Sequence, residues 1–392
     1  MLFSRHHIIA FRLSMFYVAY FAMVGITLPF FPVWLVYQGL TSESIGIIIG
    51  SATFVRVFFD PFVAHLADRR GTRQPIIALL AGAALIFFSL YFISNTFWAI
   101  FLVTILFSSC WGATQSLAES LTMLAAKNEK LEYGRIRLWG SITFILTAMI
   151  AGKLLTGNSP EIILLMIFGT VLFLLIVTIF LPNTKSSQSS QFSQSSRFSS
   201  VRFPIISLAR NKSFILVLLA AALIQSSHAV YYGFGTIHWQ KAGISETMIG
   251  ILWGEGVVAE VIFFIFGALI LRHIRPIHLI ILGGFFSFFR WIGTGLDESL
   301  IVLTILQALH GFTFGATHIG IIYFINDNVS DDISATAMSL YASVAGLAMG
   351  LMVMASGHIY AILGGQAYFV VAIMSAIGCI LCLYSSILKK ID

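Results

Sequence analysis

Charge is scarce in this chain: Asp, Glu, Lys and Arg together make up only 10% of its 392 residues, while 58% are hydrophobic. A water-soluble domain of this length needs far more charge to cover its surface, so that class is excluded. Cysteine is nearly missing as well. The three present, Cys110, Cys379 and Cys382, all sit in apolar runs. The CILC pair therefore reads as packing rather than metal or redox chemistry, and no disulfide framework is implied. Nor is there a nucleophile–base set or a metal-ligand cluster on adjacent apolar segments, so the sequence does not read as an enzyme; His310 and His318 alone do not supply one.

What is present is a series of apolar runs, each close to the roughly 20 residues that a helix needs to cross a bilayer. Twelve can be drawn, over 9–37, 44–67, 75–94, 98–126, 135–156, 161–182, 213–239, 246–270, 277–296, 299–325, 334–357 and 365–388. The expected fold is therefore an all-α integral membrane protein. The first run is too long for a cleaved signal peptide and lacks a small-residue cleavage site, so it reads as a retained span.

Basic residues mark the orientation. Arg5, Arg12, Arg69, Arg70, Arg73, Lys127, Lys130, Arg135 and Arg137 fall on one side, as do Lys185, Arg197, Arg202, Arg210, Lys212, Arg272, Arg275, Lys389 and Lys390. Lys153 and Lys241 fall on the other, which predicts that both termini are cytoplasmic. The net charge of +6 calls for no nucleic-acid partner, because anionic inner-leaflet lipid accounts for the basic loops.

Between spans six and seven lies a Ser/Gln-rich stretch too polar to bury a core. It divides the chain into an N-terminal six-helix half (1–182), a cytoplasmic linker (183–212) and a C-terminal six-helix half (213–392). The loop after span two, AHLADRRGTRQP, has a fainter basic echo, ALILRHIRPIH, after span eight. Two matched halves are the pattern of a transporter whose site lies between them near the membrane midplane.

Charges within the apolar runs are costly, about 2.5 to 3.5 kcal/mol each at a helix centre, so each is a functional candidate whose partner has to be found. Arg56 and Asp60, four apart on one helix, can neutralise each other locally; they read as mainly structural, with a gate or substrate contact as the alternative. Trp111, Gln115 and Glu119 share one face of span four. Glu119 and Arg137 on periodicity alone suit a cytoplasmic-end salt bridge. In the second half, Glu255, Glu260, Arg290, His310, Thr313, Thr317 and His318 gather on spans eight to ten. A guanidinium cannot shed its proton, whereas carboxylates and imidazoles can, so this group has the makings of proton-coupling machinery, with Arg290 held by a span-eight carboxylate. Glu255 or Glu260 would take the proton, and His310 and His318 would be relays, substrate ligands or buried core residues. Gln225, His228 and Tyr232 sit deep enough in span seven to line a cavity.

The segment LADRRGTR resembles the loop motif of the major facilitator superfamily, with Asp68, Arg69, Gly71 and Arg73 in register and Ala64 where glycine is usual. PFFPVWL, YGRIRLWG, RWIGTG and LHGF are similar to segments of the lactose permease type of oligosaccharide:proton symporter. SSHAVYYGFGTIHWQKAG and GVVAEVIFF look closer to the bacterial phenylpropionate-transporter branch. The resemblance implies the major facilitator fold, a bacterial inner-membrane location, a monomer, alternating access and a loop that gates it. It also makes Glu119 and Arg137 substrate contacts, and aligns Glu255, Arg290 and His310 with coupling residues. Thr313 stands where that permease type has its proton-carrying carboxylate, and Phe144 where it has a sugar-stacking tryptophan. With Phe144 in that place, the implied function is proton symport of a small aromatic carboxylic acid, driven by the proton gradient without a cofactor. Sugar or nucleoside symport and drug:proton antiport are the alternatives. Span five has no proline, unlike the Gly-Pro motif of the antiporters.

Overall fold

The computed structural model describes residues 5–182 and 204–391. The greater part of the expected linker, 183–203, lies outside the described residues. Among the described residues every regular element is helical. In chain order they are α1 (Arg5–Tyr37), α2 (Ser42–Arg70), α3 (Gln74–Ser89), α4 (Phe97–Glu129), α5 (Tyr133–Leu155), α6 (Ile162–Ile179) and α7 (Pro204–Arg210). There follow α8 (Lys212–Ser226), α9 (Ala229–Lys241), α10 (Glu246–Leu271), α11 (Pro276–Leu296), α12 (Leu300–Ala308), α13 (Thr317–Asn328), α14 (Asp331–Leu363) and α15 (Ala367–Ile391).

Several expected spans are interrupted helices. Span seven breaks between α8 and α9 at Ser227 and His228, and span ten carries a π-helical turn, Gly311–Ala316, between α12 and α13. A continuous apolar stretch, Asp332–Ile387, covers the last two spans, and the 3₁₀ turn Gly364–Gln366 divides it into α14 and α15. Termini are set by local chemistry. The Thr41 and Thr96 hydroxyls accept from the Ser44 and Ala99 amides at the starts of α2 and α4, and the Asn211 carbonyl oxygen accepts from the Phe214 amide at the start of α8.

Contacts divide the described chain into two compact units, residues 5–182 with Ser245–Gly254, and residues 204–244 with 255–391. In the first, α1 packs on α5 and α6, while α4 packs on α2 and α3. The second repeats the scheme, with α8 and α9 on α14, α8 on α15, and α11 on α13 and α15. Close helix approach depends on small residues. A Cβ on Gly25 of α1 would lie 2.6 Å from the Phe144 carbonyl oxygen on α5, so this seam closes only over glycine. The outward faces are apolar too: Ile93, Trp98 and Ile301 are each at least 74% exposed, as suits a lipid-facing surface.

Candidate functional site

The second unit holds a buried polar cluster around Arg290, which is 1% exposed. Its Nη1 donates to Nδ1 of His310 (2.8 Å) and to Oγ1 of Thr313 (3.0 Å), and its Nη2 donates to Oε1 of Gln307. The guanidinium carbon lies 5.0 Å from the Tyr231 ring centre and 4.6 Å from that of Trp291. Gln307 in turn donates to the Tyr231 hydroxyl (2.9 Å), and Trp291 donates to Ser227 Oγ (2.8 Å). Hydrogen bonds and ring faces thus replace the water a cation loses on burial.

Donor and acceptor chemistry fixes the two histidines. The Nδ1 of His310 accepts from a guanidinium that has no acceptor of its own, so a neutral His310 carries its proton on Nε2. That nitrogen lies 3.9 Å from Oε2 of Glu260. His228 faces the Gln225 carbonyl oxygen through Nδ1 (3.1 Å), which must therefore donate. Its Nε2, 3.2 Å from Thr313 Oγ1, is then free to accept the threonine proton. Thr313 becomes a joint, accepting from Arg290 and sharing its one hydroxyl proton between His228 Nε2 and the His310 carbonyl oxygen (3.3 Å). The interruptions of the helices serve this site: His228 falls at the α8–α9 break, and His310 immediately precedes the π turn that contains Thr313.

The expected ion pair between Arg290 and a span-eight carboxylate is not formed. Among the described residues no carboxylate comes within 4.0 Å of the guanidinium, because the His310 imidazole stands between it and Glu260. Glu255 is half-buried and has no hydrogen bond or ion pair with a described residue. His318 stacks on Phe314 (5.7 Å, 10°), which also stacks on His310 (5.6 Å, 19°). Gln225 donates to the Phe314 carbonyl oxygen (3.4 Å), and Tyr232 stacks on His228 (5.7 Å, 27°).

A second polar cluster occupies the first unit. Gln115 donates to Glu119 (3.2 Å), as their spacing implies. The Arg137 guanidinium lies 4.1 Å from the Phe21 ring centre and 5.5 Å from that of Tyr17. It makes no ion pair with Glu119 within 4.0 Å, so the salt bridge that periodicity favours is open. Phe144 is buried on α5, its backbone against Gly25. Beside these residues, Arg56 and Asp60 do form an i,i+4 pair (Nε to Oδ2, 3.7 Å), and Ser116 donates to the same oxygen (3.1 Å). At the α2–α3 turn, Arg73 donates to Asp68 (2.8 Å), and Gly71 takes a left-handed conformation (φ 68°) with its amide directed to Ala67 and Asp68. Arg69 is exposed.

Sequence reasoning passed over Gln307, Trp291 and Ser227, and noted Tyr231 on span seven without placing it in the site. Gln307 had a signal, since it lies three residues before His310 and six before Thr313 on one helical face. Ser227 and Trp291 carried no signal of their own, because a single serine or tryptophan within an apolar run reads equally well as packing.

The MFS_1 like family model matches residues 10–371. A probable 3-phenylpropionic acid transporter of Escherichia coli (strain K12) is 29% identical over 370 residues, covering 93% of this chain and 94% of that protein. The raffinose permease of Escherichia coli is 24% identical, covering 92% and 88%. Among solved structures, the nucleoside transporter NupG superposes with a TM-score of 0.81 over 97% of this chain and 99% of that one, at 18% identity, a likeness of fold. Twelve expected spans, the loop turn built on Gly71 and a family match over most of the chain agree: this protein belongs to the MFS_1 like family and is a membrane transporter of the major facilitator superfamily rather than an enzyme.

Proposed function

We propose that the protein takes up a small aromatic carboxylic acid, of the 3-phenylpropionate kind, by symport with protons through alternating access. One observation carries this reading: the first unit holds a half-buried guanidinium, Arg137, against the faces of Phe21 and Tyr17 with no carboxylate of the described residues within ion-pair distance. A cation beside aromatic rings that no described carboxylate neutralises suits a ligand that has a carboxylate at one end and a ring at the other. The Escherichia coli relative, a probable 3-phenylpropionic acid transporter, points the same way. In this reading Glu119, Gln115 and Phe144 complete the contacts of the first unit. In the second, Gln225, His228 and Tyr232 border the substrate, and Arg290, His310, His318, Glu260 and Glu255 handle the proton. Glu260 is the carboxylate nearest the network, reaching it through His310.

Purified protein in proteoliposomes, given radiolabelled 3-phenylpropionate with and without an inward proton gradient, tests this. Accumulation should appear only with the gradient. Arg290→Gln should abolish it and leave exchange of internal for external substrate. Accumulation of a sugar or nucleoside in place of the acid would overturn the substrate class, and extrusion against the gradient would overturn symport.

A further inference from the structure

Four buried polar atoms of the first unit lack a hydrogen-bond partner among the described residues and belong to one cluster: the Tyr20 hydroxyl on α1, Nε of Arg56 and Oδ1 of Asp60 on α2, and Nε1 of Trp111 on α4. Leaving a polar atom buried and unmet costs about 1–3 kcal/mol, so four together is an arrangement that folding alone would not favour. Tyr20 is 1% exposed, and its ring stacks on Trp111 (4.6 Å, 1°). The Arg56 guanidinium lies 5.3 Å from the Trp111 ring centre. It also rests against the α4 backbone at Gly112, where an added Cβ would collide with Nε and lie 2.7 Å from Cδ. Glycine is needed there for the guanidinium to reach this position.

The two intramembrane arginines differ in what remains open. Arg290 spends its donors on Gln307, His310 and Thr313 and is buried. Arg56 donates no hydrogen bond to a described residue, and its side chain keeps 30% of its surface exposed. Its terminal nitrogens therefore offer the fork that grips a carboxylate through two parallel bonds. Among the described residues its one ion-pair partner is Asp60, 3.7 Å from Nε and outside hydrogen-bond distance. Asp60 itself is faced by Arg56 from its own helix and Ser116 from α4; Glu119 of α4 and Arg137 of α5 act with this pair on the Tyr20 hydroxyl of α1.

We propose that Arg56 is the receptor for the substrate's carboxylate in the first unit, and that Asp60 is the resident counter-ion which gives up the guanidinium and takes one proton from the buffered solution as the substrate binds, a step separate from the proton handling around Arg290 in the second unit. The exchange balances: a carboxylate and a proton enter, the guanidinium changes its partner from Asp60 to the ligand, and the carboxylic acid of Asp60 leaves the net charge of the site unchanged. Trp111 Nε1 and the Tyr20 hydroxyl supply further donors beside it. The inference rests on the carboxylic-acid reading above and assigns the carboxylate to Arg56, so that Arg137, set against the Phe21 and Tyr17 rings, borders the ligand rather than gripping its carboxylate.

Titration calorimetry on the purified full chain tests it, with 3-phenylpropionate and its uncharged analogue 3-phenylpropanamide, in two buffers of different ionisation enthalpy. Wild type should prefer the acid by at least about tenfold and take up about one proton per acid bound. Arg56→Gln should bind the two alike, within about threefold, and Gly112→Ala should lose preference for the acid while keeping the charge. Asp60→Asn should bind the acid without proton uptake. If Arg56→Gln does not fold, Arg56→Lys, which keeps the charge and loses the fork, should still lower the preference. Wild type that ignores the acid defeats the carboxylic-acid reading, and this inference with it. Wild type that prefers the acid, alongside an Arg56→Gln or Arg56→Lys variant that prefers it equally, overturns the assignment to Arg56 alone. Undiminished proton uptake in Asp60→Asn overturns the role of Asp60.

Discussion

Nη1 of Arg290 lies 2.8 Å from Nδ1 of His310, a contact that makes the imidazole an acceptor on that side and leaves its proton on Nε2, facing Glu260. His228 has the opposite arrangement, donating through Nδ1 to the Gln225 carbonyl oxygen. Protein labelled with ¹⁵N in histidine should therefore show the Nε2–H form at His310 and the Nδ1–H form at His228, assigned by single His→Gln variants. Finding the same tautomer at both rings would contradict the network.

Thr313 joins the two rings to the guanidinium. Thr313→Val keeps the shape but removes the hydroxyl, leaving an acceptor on His228 and a donor on Arg290 unmet in a buried site. Each unmet group costs about 1–3 kcal/mol. The melting temperature of purified Thr313→Val should fall by several degrees, whereas Thr313→Ser, which keeps the oxygen, should stay close to wild type. Equal melting of all three would mean that water replaces the hydroxyl.

Hydropathy made the spans legible because a helix in lipid must satisfy its own backbone and face hydrocarbon, which leaves a long apolar run for each crossing. The candidate charges were legible for the same reason, since each is an exception inside such a run. Their partners were less so. Arg290 was expected against a carboxylate because charge attracts charge, but its actual ligands are a glutamine, a threonine, an imidazole and two aromatic faces, brought together by packing among α8–α13. The break at Ser227–His228 and the π turn at Gly311–Ala316 fall on polar or glycine-containing stretches, QSSH and GFTFGA, too short to end an apolar run long enough to span a bilayer, so each span read as one helix. Arg56 and Asp60 were read as satisfied by their spacing; their separation of 3.7 Å and the unmet atoms around them appear only in three dimensions.

The α1–α5 seam sets a steric limit at Gly25. A Cβ there would sit 2.6 Å from a backbone oxygen and 3.1 Å from the Phe144 Cα, neither of which can rotate away. Gly25→Ala should therefore force the helices apart and destabilise the fold by about 1–3 kcal/mol, and Gly25→Leu should do so by more. Fluorescence-detected size exclusion of tagged variants after graded heating gives the ranking. Wild-type behaviour of Gly25→Leu would show that the seam yields.

The turn between α11 and α12 contains a carboxylate that responds to pH in a defined direction. Oδ1 of Asp297 accepts from the Ser299 amide (2.7 Å), and the hydrogen bonds from Ser299 hold the Asp297 carboxyl below its ordinary value. A group whose value is lowered on folding contributes stability above its unfolded value and loses that contribution as pH falls through the folded one. Protection of the Ser299 amide from hydrogen exchange, corrected for the intrinsic rate, should thus be level from neutral pH down to about pH 5 and decline only below about pH 4. Asp297→Asn keeps an acceptor oxygen but removes the titration, so its profile should stay flat through the acid range. A wild-type decline centred near pH 6 would point instead to a histidine and would remove Asp297 as the cause.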